Sequence, residues 1–582
     1  MKFLLAAFNA KYIHSNPGIY SLKAYAGEQY APFIELGEYT INHRMDDILA
    51  DIYKRKPDVI GFSCYIWNID LVKNLLPEIH KLLPETELWL GGPEVSFECS
   101  GLMRQFPCIK GIMVGEGEET FLALLQYYLK EKEQALEDIP GLVLSTGYTK
   151  EREAMDFSKV PFLYAAGNAD TLNDFENRIV YYESSRGCPF RCSYCLSSID
   201  KRVRLRDISL VKKELQFFLD QKVPQVKFID RTFNCNHQHA KAVWKYILEN
   251  DNNVTNFHFE VAADILDEEE LDLLNRMRPG LVQLEIGVQT TNPQTLKEIR
   301  RFTNMDKLKH TVERIHAGGN VHIHLDLIAG LPYEDYDSFA RSFGEVYAMK
   351  PEQLQLGFLK VLKGSYMYEK AGDYGLQYLS RAPYEVLFTD WLSYENVLRL
   401  KQVEEMVELY YNSNQFTHTL PLLEQHYDNP FYLYEALADY YEAQGYFVQS
   451  PARSYRYQVL LAFAKSIDPD REPLYRESLT YDIYLRENAK SRPEFGSDIA
   501  PYKNAFHAFF AEEEMVRGLL PHYEAYDAKQ ISKMTHLEWF WYPVWDVERA
   551  QNFVALGEPV KVLFDYQARS PITKEATVYV LE

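Results

Sequence analysis

Three of the chain's seven cysteines fall inside one short stretch, "ESSRGCPFRCSYCLSS", spaced Cys188-x-x-x-Cys192-x-x-Cys195 in a protein of 582 residues. Thiolates hold soft metals, and three of them are one donor short of a closed four-coordinate site. Isolated cysteines usually pack as small hydrophobes, as Cys64, Cys99, Cys108 and Cys235 are expected to do. A tight group of three calls for another explanation. Arg186, Gly187, Pro189 and Arg191 around the thiols suit a loop wrapped about something. A zinc site would commonly add a second cysteine pair or histidines, and no second pair follows. An iron–sulfur cubane held by three thiolates leaves one iron open, able to bind and orient a small molecule. Tyr194 would set an aromatic ring beside that iron.

The formal charge of −22 argues against general nucleic-acid binding, which needs a basic footprint. Lys201, Arg202, Arg204 and Arg206 form a local basic run, read first as a solvated face or an anion contact and second as an RNA contact. Hydrophobic residues make up 47% and charged residues 25%, a globular balance. No apolar run approaches the roughly 20 residues that span a bilayer. "MKFLLAAFNAKY" has no small-residue cleavage site and is read as a first strand. So few cysteines and no export signal point to a reducing cytoplasm and no membrane insertion.

The elements that must position the cysteines are legible as an α/β pattern. In residues 1–140, "KFLLAAFNA", "DVIGFSCY", "ELWLGGP" and "IKGIMVGEGEE" are continuous apolar strands with helical stretches between them, the last helix running to about Glu137. That pattern predicts a doubly wound, Rossmann-like parallel sheet with its ligand at the carboxyl edge. The absence of G-x-G-x-x-G after the first strand argues against a dinucleotide. Residues 141–175 read as a linker containing a strand, "GLVLS".

Over residues 176–380 six strands follow at βα spacing: "RIVYYESS", "QVKFID", "NFHFEVAAD", "LVQLEIGVQ", "VHIHLDLIAG" and "QLQLGFLKV". They alternate. Val321, Ile323, Leu325 and Leu327 share one face, and His322, His324 and Asp326 share the other. Gln283, Glu285, Gly287 and Gln289 line up in the same way, as do His258 with Glu260 and Gln353 with Gln355. Helices outside a barrel require the apolar face outward, so the polar face points in. A polar interior needs partners, which implies either a cavity for polar ligands or a self-satisfied network. Residues 381–582 read as mostly helical, ending in a β-hairpin turned at Ser570-Pro571. "HLEWFWYPVW" before it reads as aromatic core or interface.

Cys188-x-x-x-Cys192-x-aromatic-Cys195 after the first strand of a partial (β/α)6, TIM-like barrel resembles the radical S-adenosylmethionine (SAM) superfamily. "VKFIDRTFN", "LEIGVQT" and "HLDLIAGLPYED" stand where that superfamily has its second, fourth and fifth strands. The resemblance implies a [4Fe-4S] cluster on the three cysteines, with the amino and carboxylate groups of SAM as the missing ligand. It implies that the reduced cluster cleaves SAM to methionine and a 5′-deoxyadenosyl radical, which abstracts a substrate hydrogen. It further implies SAM contacts at Tyr194, Asp230, Glu285, Gln289, Asp326 and Gly330, with Pro332 shaping the fifth-strand loop. "FEVAAD" departs from relatives that carry an arginine near Ala262, leaving the carboxylate contact unassigned.

"GFSCYIWN", "LWLGGPEVS" and "VGEGEETF" together resemble the cobalamin-binding domain that precedes many radical enzymes. The resemblance implies cobalamin contacts at Ser63, Trp67, Asn68, Gly91, Gly92, Pro93, Gly115, Gly117 and Glu118, with His14 as a candidate cobalt ligand. The usual Asp-x-His-x-x-Gly motif is absent, because Tyr12 and Pro17 replace two of its three residues. A cobalt without a lower histidine suits methyl transfer to a radical. The expected activity is thus methylation of an unactivated carbon, with electrons from a low-potential flavodoxin or ferredoxin. Cyclisation or rearrangement without methyl transfer is the alternative outcome, and an iron–sulfur or zinc scaffold the non-enzymatic one.

Overall fold

The computed structural model describes residues 1–12, 14–131, 133–164 and 178–581. Residues 165–175 of the expected linker, the next two residues and the last one lie outside the described set. The N-terminal sheet contains β1 (Phe3–Asn9), β2 (Ile34–Thr40), β3 (Val59–Ser63), β4 (Glu87–Gly91), β5 (Ile109–Met113), β6 (Leu142–Leu144) and β7 (Gly147–Tyr148), in spatial order β2-β1-β3-β4-β5-β6-β7. The first five strands are parallel and the last two antiparallel. Strand order reverses between β1 and β3, so the crevice beyond their carboxyl ends is the natural ligand site. Two departures from the sequence reading have physical causes. β2 reads "IELGEYT", too polar to stand out, because it is an edge strand. The last helix ends at Tyr128, short of Glu137.

The second sheet holds the six expected strands: β8 (Val180–Tyr182), β11 (Gln225–Phe228), β12 (Asn256–Val261), β13 (Val282–Gln289), β14 (His322–Ala329) and β15 (Gln353–Phe358). They run parallel in the order β15-β14-β13-β12-β11-β8, an open six-stranded barrel. A small antiparallel ribbon, β9 (Ser185–Arg186) with β10 (Arg204–Leu205), leaves the end of β8. The alternation does what its chemistry requires. Val282, Leu284, Ile286 and Val288 are fully buried beneath the helices, while Gln283, Glu285, Gly287 and Gln289 face inward and are half-buried. Aspartates start the flanking helices: Asp207 caps Ile208–Asp220, and Asp335 caps Tyr336–Tyr347.

A ribbon of β16 (Gln377–Tyr378) with β17 (Val386–Phe388) leads into a mostly helical region. Its helix Pro430–Gln444 packs on the barrel helix Tyr336–Tyr347 through Phe431 and Tyr434 against Phe343 and Tyr347. This region also covers β15, the open edge of the barrel. Asn412 Nδ2 donates to Leu354 O at 2.9 Å, and Leu354 N donates to Asn412 Oδ1 at 2.9 Å. One amide side chain thereby continues the ladder that an edge strand leaves unpaired. Asn412→Ala is expected to leave both groups unsatisfied and to lower stability by about 1–3 kcal/mol in denaturant titration, with Asn412→Asp intermediate because it keeps the acceptor.

The chain closes on three antiparallel strands, β18 (Thr535–Phe540), β19 (Val560–Arg569) and β20 (Ala576–Leu581). The hairpin expected at Ser570-Pro571 is β19–β20. The aromatic stretch before it is a third strand, whose Leu537, Trp539 and Phe540 are buried. Among the described residues, no helix is long and apolar enough to cross a membrane.

Candidate active site

The cysteine loop leaves the barrel between the two arms of the β9–β10 ribbon. Gly187 starts it with φ 91°, and a Cβ there would overlap the carbonyl of Arg202. Only glycine lets residues 200–202 close this tightly on the loop. Cys188 N donates to Asp200 O at 3.3 Å, and Cys195 N donates to Cys192 O at 3.2 Å. On the far side, Ser193 N bonds Ile299 O at 2.9 Å and Met367 N bonds Ser193 O at 2.8 Å. All three thiols are free. Among the described residues, the one group of three Cys, His, Asp or Glu residues with all donor atoms within 4.8 Å of one another is His237, Asp267 and Glu270. The three thiols are therefore spread more widely than tetrahedral thiolates about 2.3 Å from one zinc would be. That spread suits thiolates on separate irons of a cluster.

Behind the loop, inside the barrel, lies a pocket of about 130 Å³ lined by Phe190, Arg231, Glu260, Glu285, Gln289, Arg301 and Asp326 among others. Part of the polar interior satisfies itself. Lys227 Nζ donates to Glu285 Oε2 at 3.1 Å, and His258 Nε2 lies 3.0 Å from the same oxygen without hydrogen-bond geometry. Burial opposes the charge on Glu285, but His258 and Lys227 outweigh it and hold the carboxyl at about 2. The rest is not satisfied. Glu260, half-buried, is pushed up to about 7 by desolvation that the charge of Arg231 only partly offsets. Gln289 Oε1 is buried with no partner, and Asp326 Oδ1 lies 3.1 Å from His324 Nε2 without hydrogen-bond geometry. Buried polar atoms without partners mark the place of a missing polar group. A bulge between Gly287 and Gln289, with Gln289 at φ 72°, turns this side chain back into the pocket.

In front of the loop, between the N-terminal sheet and the barrel, is a cavity of about 650 Å³. Ser63, Gly91, Gly92, Pro93, Gly115, Gly117 and Glu118 line it from the carboxyl edge of the sheet. Gly187, Leu196, Ser197 and Ile199 line it from the cysteine loop, and Arg231 opens on both spaces. Ion pairs join the two sides. Arg186 donates to Glu118 at 2.6 Å, Glu116 at 3.3 Å and Glu183 at 3.0 Å, and its guanidinium lies 4.7 Å from the Phe157 ring centroid. Arg204 pairs with Glu116 and Asp200, and Arg206 with Glu214. Arg204 and Arg206 thus point inward, while Lys201 and Arg202 are exposed.

Several expected site residues serve the scaffold instead. Asp230 is completely buried and accepts from Ser184 N, Ser184 Oγ and Ser185 Oγ at 2.9, 2.7 and 2.5 Å, and burial raises its carboxyl to about 6. It anchors the base of the cysteine loop and lines neither space. Asn68 is buried, with its amide bonded to Phe8 O, Ser63 O and Tyr65 N, so it ties the ends of β1 and β3. Trp67 donates to Phe8 O and stacks on Tyr65 at 4.4 Å, supporting the cavity wall from behind. His14 bonds the Tyr181 hydroxyl at 2.6 Å and does not line the cavity. Gly330, at φ 87°, makes room for Val386. Tyr194 packs against the apolar cluster around Leu331, Leu359 and Met367, and its hydroxyl stays beside Cys192, Cys195 and Arg301.

Sequence reasoning missed Tyr65, Arg231 and Arg301. Arg301 donates to Cys192 Sγ at 3.7 Å and to Gly287 O, and its Nε is buried without a partner. It brings a cation to the pocket that Ala262 also lines, where the sequence offered none. Arg231 makes no close ion pair among the described residues, though its charge acts on the Glu260 carboxyl in the same pocket. Arg231 lies within "VKFIDRTFN" and Arg301 beyond "LEIGVQT", and only the closure of the barrel brings the two together.

Residues 182–345 match the radical SAM superfamily and residues 4–125 the B12 binding domain, while 372–564 match a family described as a protein of unknown function, DUF4080. The chain is 24% identical over 353 residues to the cobalamin-dependent radical SAM methyltransferase TokK of Streptomyces tokunonensis, covering 56% of this chain and 51% of TokK. It spans about half the length of that relative. The structure of OxsB, a cobalamin-dependent S-adenosylmethionine radical enzyme with aqua-cobalamin bound, aligns with a TM-score of 0.59 at 15% identity over 88% of this chain and 84% of OxsB. That of the radical S-adenosylmethionine methyltransferase TsrM from Kitasatospora setae, with cobalamin and a [4Fe-4S] cluster bound, aligns at 0.53 with 18% identity over 65% of this chain and 77% of TsrM. Likenesses at this identity bear on the fold.

Proposed function

We propose that this chain, a B12-binding domain joined to a radical SAM domain, is a cobalamin-dependent radical SAM enzyme that methylates an unactivated carbon. One observation carries the reading: the cysteine loop is the wall between two spaces suited to different groups. Cys188, Cys192 and Cys195 would hold the [4Fe-4S] cluster. Gln289, Asp326, Arg301 and the backbone of Tyr194 would receive the amino-acid end of SAM. The barrel pocket is smaller than the roughly 300–1,000 Å³ of whole small-molecule sites, so it admits one end of that molecule. The glycines ending β4 and β5 and the ring of Tyr65 suit a broad, flat cobalamin in the larger cavity. Bound together, the cluster and SAM supply hydrogen-atom abstraction and cobalamin supplies the methyl group.

The chain's own work is binding, orientation and exclusion. Arg186 and Glu118 hold the two domains at the spacing that brings both spaces to one loop. Arg231, open to both spaces and beside Glu260, is placed to orient a substrate anion between them. The electron donor would be a low-potential flavodoxin or ferredoxin. The substrate is met at the cavity between the domains.

The test is anaerobic turnover of reconstituted protein with methyl-labelled SAM and a low-potential reductant. Formation of 5′-deoxyadenosine with label in the product is expected. Deoxyadenosine without label transfer would favour cyclisation or rearrangement. No deoxyadenosine from cluster-replete protein would end the reading.

A further inference from the structure

Exposed cations rim the cysteine loop of a chain whose net charge is −22. Arg191 lies inside the loop and Lys201 and Arg202 follow it, and all three side chains are exposed. Residues 200–202 close on Gly187 and Cys188. On the other side Ile299 bonds Ser193, so Arg300 stands beside the loop, exposed, with its guanidinium 3.5 Å from the Tyr366 ring centroid. Arg191 and Lys201 have no carboxylate partner among the described residues. Arg202 Nε comes only to 3.7 Å from Asp200, with 76% of its side chain exposed. The neighbouring acids are Asp200, 40% exposed, Glu369, exposed two residues past Met367, and the half-buried Glu298, which accepts from the Tyr374 hydroxyl. Four cations face three acids at this spot, one of them already hydrogen-bonded, while Arg186, Arg204 and Arg206 are all turned inward onto carboxylates. A solvated face would show mixed charge, and this rim reverses the sign of the whole molecule.

We propose that Arg191, Lys201, Arg202 and Arg300 form the landing surface for a small acidic one-electron carrier of the flavodoxin class. The inference rests on the cysteines holding a cluster. In the transfer the carrier's reduced flavin loses one electron and the cluster gains it, and no bond or proton changes hands. Charge complementarity selects the carrier. A strongly acidic chain repels acidic proteins over most of its surface, so a local patch of opposite sign concentrates encounter at one place. That place is the outer face of the loop bearing the three thiols. Phe190 points into the barrel pocket and its neighbour Arg191 points out.

The experiment compares the full-length reconstituted protein with the triple variant Arg191→Gln, Lys201→Gln, Arg202→Gln. Bleaching of cluster absorbance is followed by stopped flow, once with reduced flavodoxin and once with photoreduced deazaflavin, a small reductant that needs no docking surface. The flavodoxin-driven rate is expected to fall about 10–100-fold in the variant, and raising salt is expected to lower the wild-type rate toward it. The deazaflavin rate should not change. Calorimetry with oxidised flavodoxin should show Kd rising at least about tenfold. Equal rates and equal Kd, or a salt-independent rate, overturn the proposal. So does a short RNA that binds wild type but not the variant while flavodoxin is indifferent. Protein that takes up no cluster defeats the functional reading instead, and the calorimetric arm, which needs no iron, still decides the surface.

Discussion

Cys192→Ala is expected to remove the iron–sulfur absorbance and to drop 5′-deoxyadenosine formation to background, a fall of at least about 10³. With two thiolates left, the cubane loses a corner. The control is Cys235→Ala. Cys235 is half-buried, and burial, followed by the charge of the nearby Cys188, pushes its thiol up to about 11. It is therefore the cysteine outside the triad to test as a fourth ligand. Three-thiolate ligation requires that Cys235→Ala keep full iron content, the same spectrum and SAM-dependent perturbation of that spectrum. A variant that loses its iron would show four protein donors and no open iron, and SAM chemistry at this centre would be excluded. Arg301→Met is a second control, since Arg301 donates to Cys192 Sγ without being a ligand. It should retain iron and shift the cluster's potential downward, because removing a positive hydrogen-bond donor from a thiolate favours the oxidised state.

Arg186→Met carries the next largest effect, on the joint between the domains. The guanidinium is 14% exposed and pairs with Glu116, Glu183 and the nearly buried Glu118. Removing it strands Glu118, which is then left with the Ser21 hydroxyl as a side-chain donor. Breaking a buried pair from one side costs about 3–5 kcal/mol, most of it from the charge left behind. Cobalamin retention through gel filtration should fall with stability, because Arg186 and Glu118 both line the cavity. The double variant Arg186→Met, Glu118→Gln should recover part of the loss, since the stranded charge is gone. Burial opposes the charge on Glu118, but Arg186 outweighs it and holds its carboxyl below the ordinary value. The pair's contribution is therefore complete above the unfolded-state pKa, about 4.3, and is lost as pH falls through the lower folded value. Acid should then destabilise wild type more steeply than the double variant. Equal melting of Arg186→Met and wild type would show that the arginine does not join the domains.

The three thiols and the alternating barrel strands are legible in sequence because spacing and period-two patterning are local properties. Ser63, Gly91, Gly92, Pro93, Gly115, Gly117 and Glu118 come to one cavity because strand ends in a parallel sheet share an edge. The misreadings have a common cause. Asn68 and Asp230 sit at strand ends, where a ligand-binding side chain and a loop-tying side chain look alike in sequence. Short polar side chains bond nearby backbone and hydroxyl groups readily, and here the scaffold takes both. Gly92 suggests room for a flat cofactor, yet its φ of 113° and the Cys64 carbonyl 2.5 Å from a notional Cβ show that the neighbouring loop already requires it. Arg231 and Arg301 stand out only in three dimensions, because what distinguishes them is the space one opens on and the Cys192 sulfur the other reaches across the chain. β18 reads as an aromatic cluster because a buried strand at the join of two layers has apolar residues on both faces.

The seal at Asn412 bears on how this protein can be taken apart. The exposed rim of an open barrel would recruit another strand, and the residue that prevents this belongs to the region after it, more than fifty positions along the chain. Cutting the polypeptide before the helical portion would bare Leu354 and its neighbours and yield aggregates in place of a working fragment. Attempts to transplant the barrel into another host gene must therefore carry its C-terminal cover with it, and chimeras that keep Asn412 with its helix should express where shorter ones precipitate.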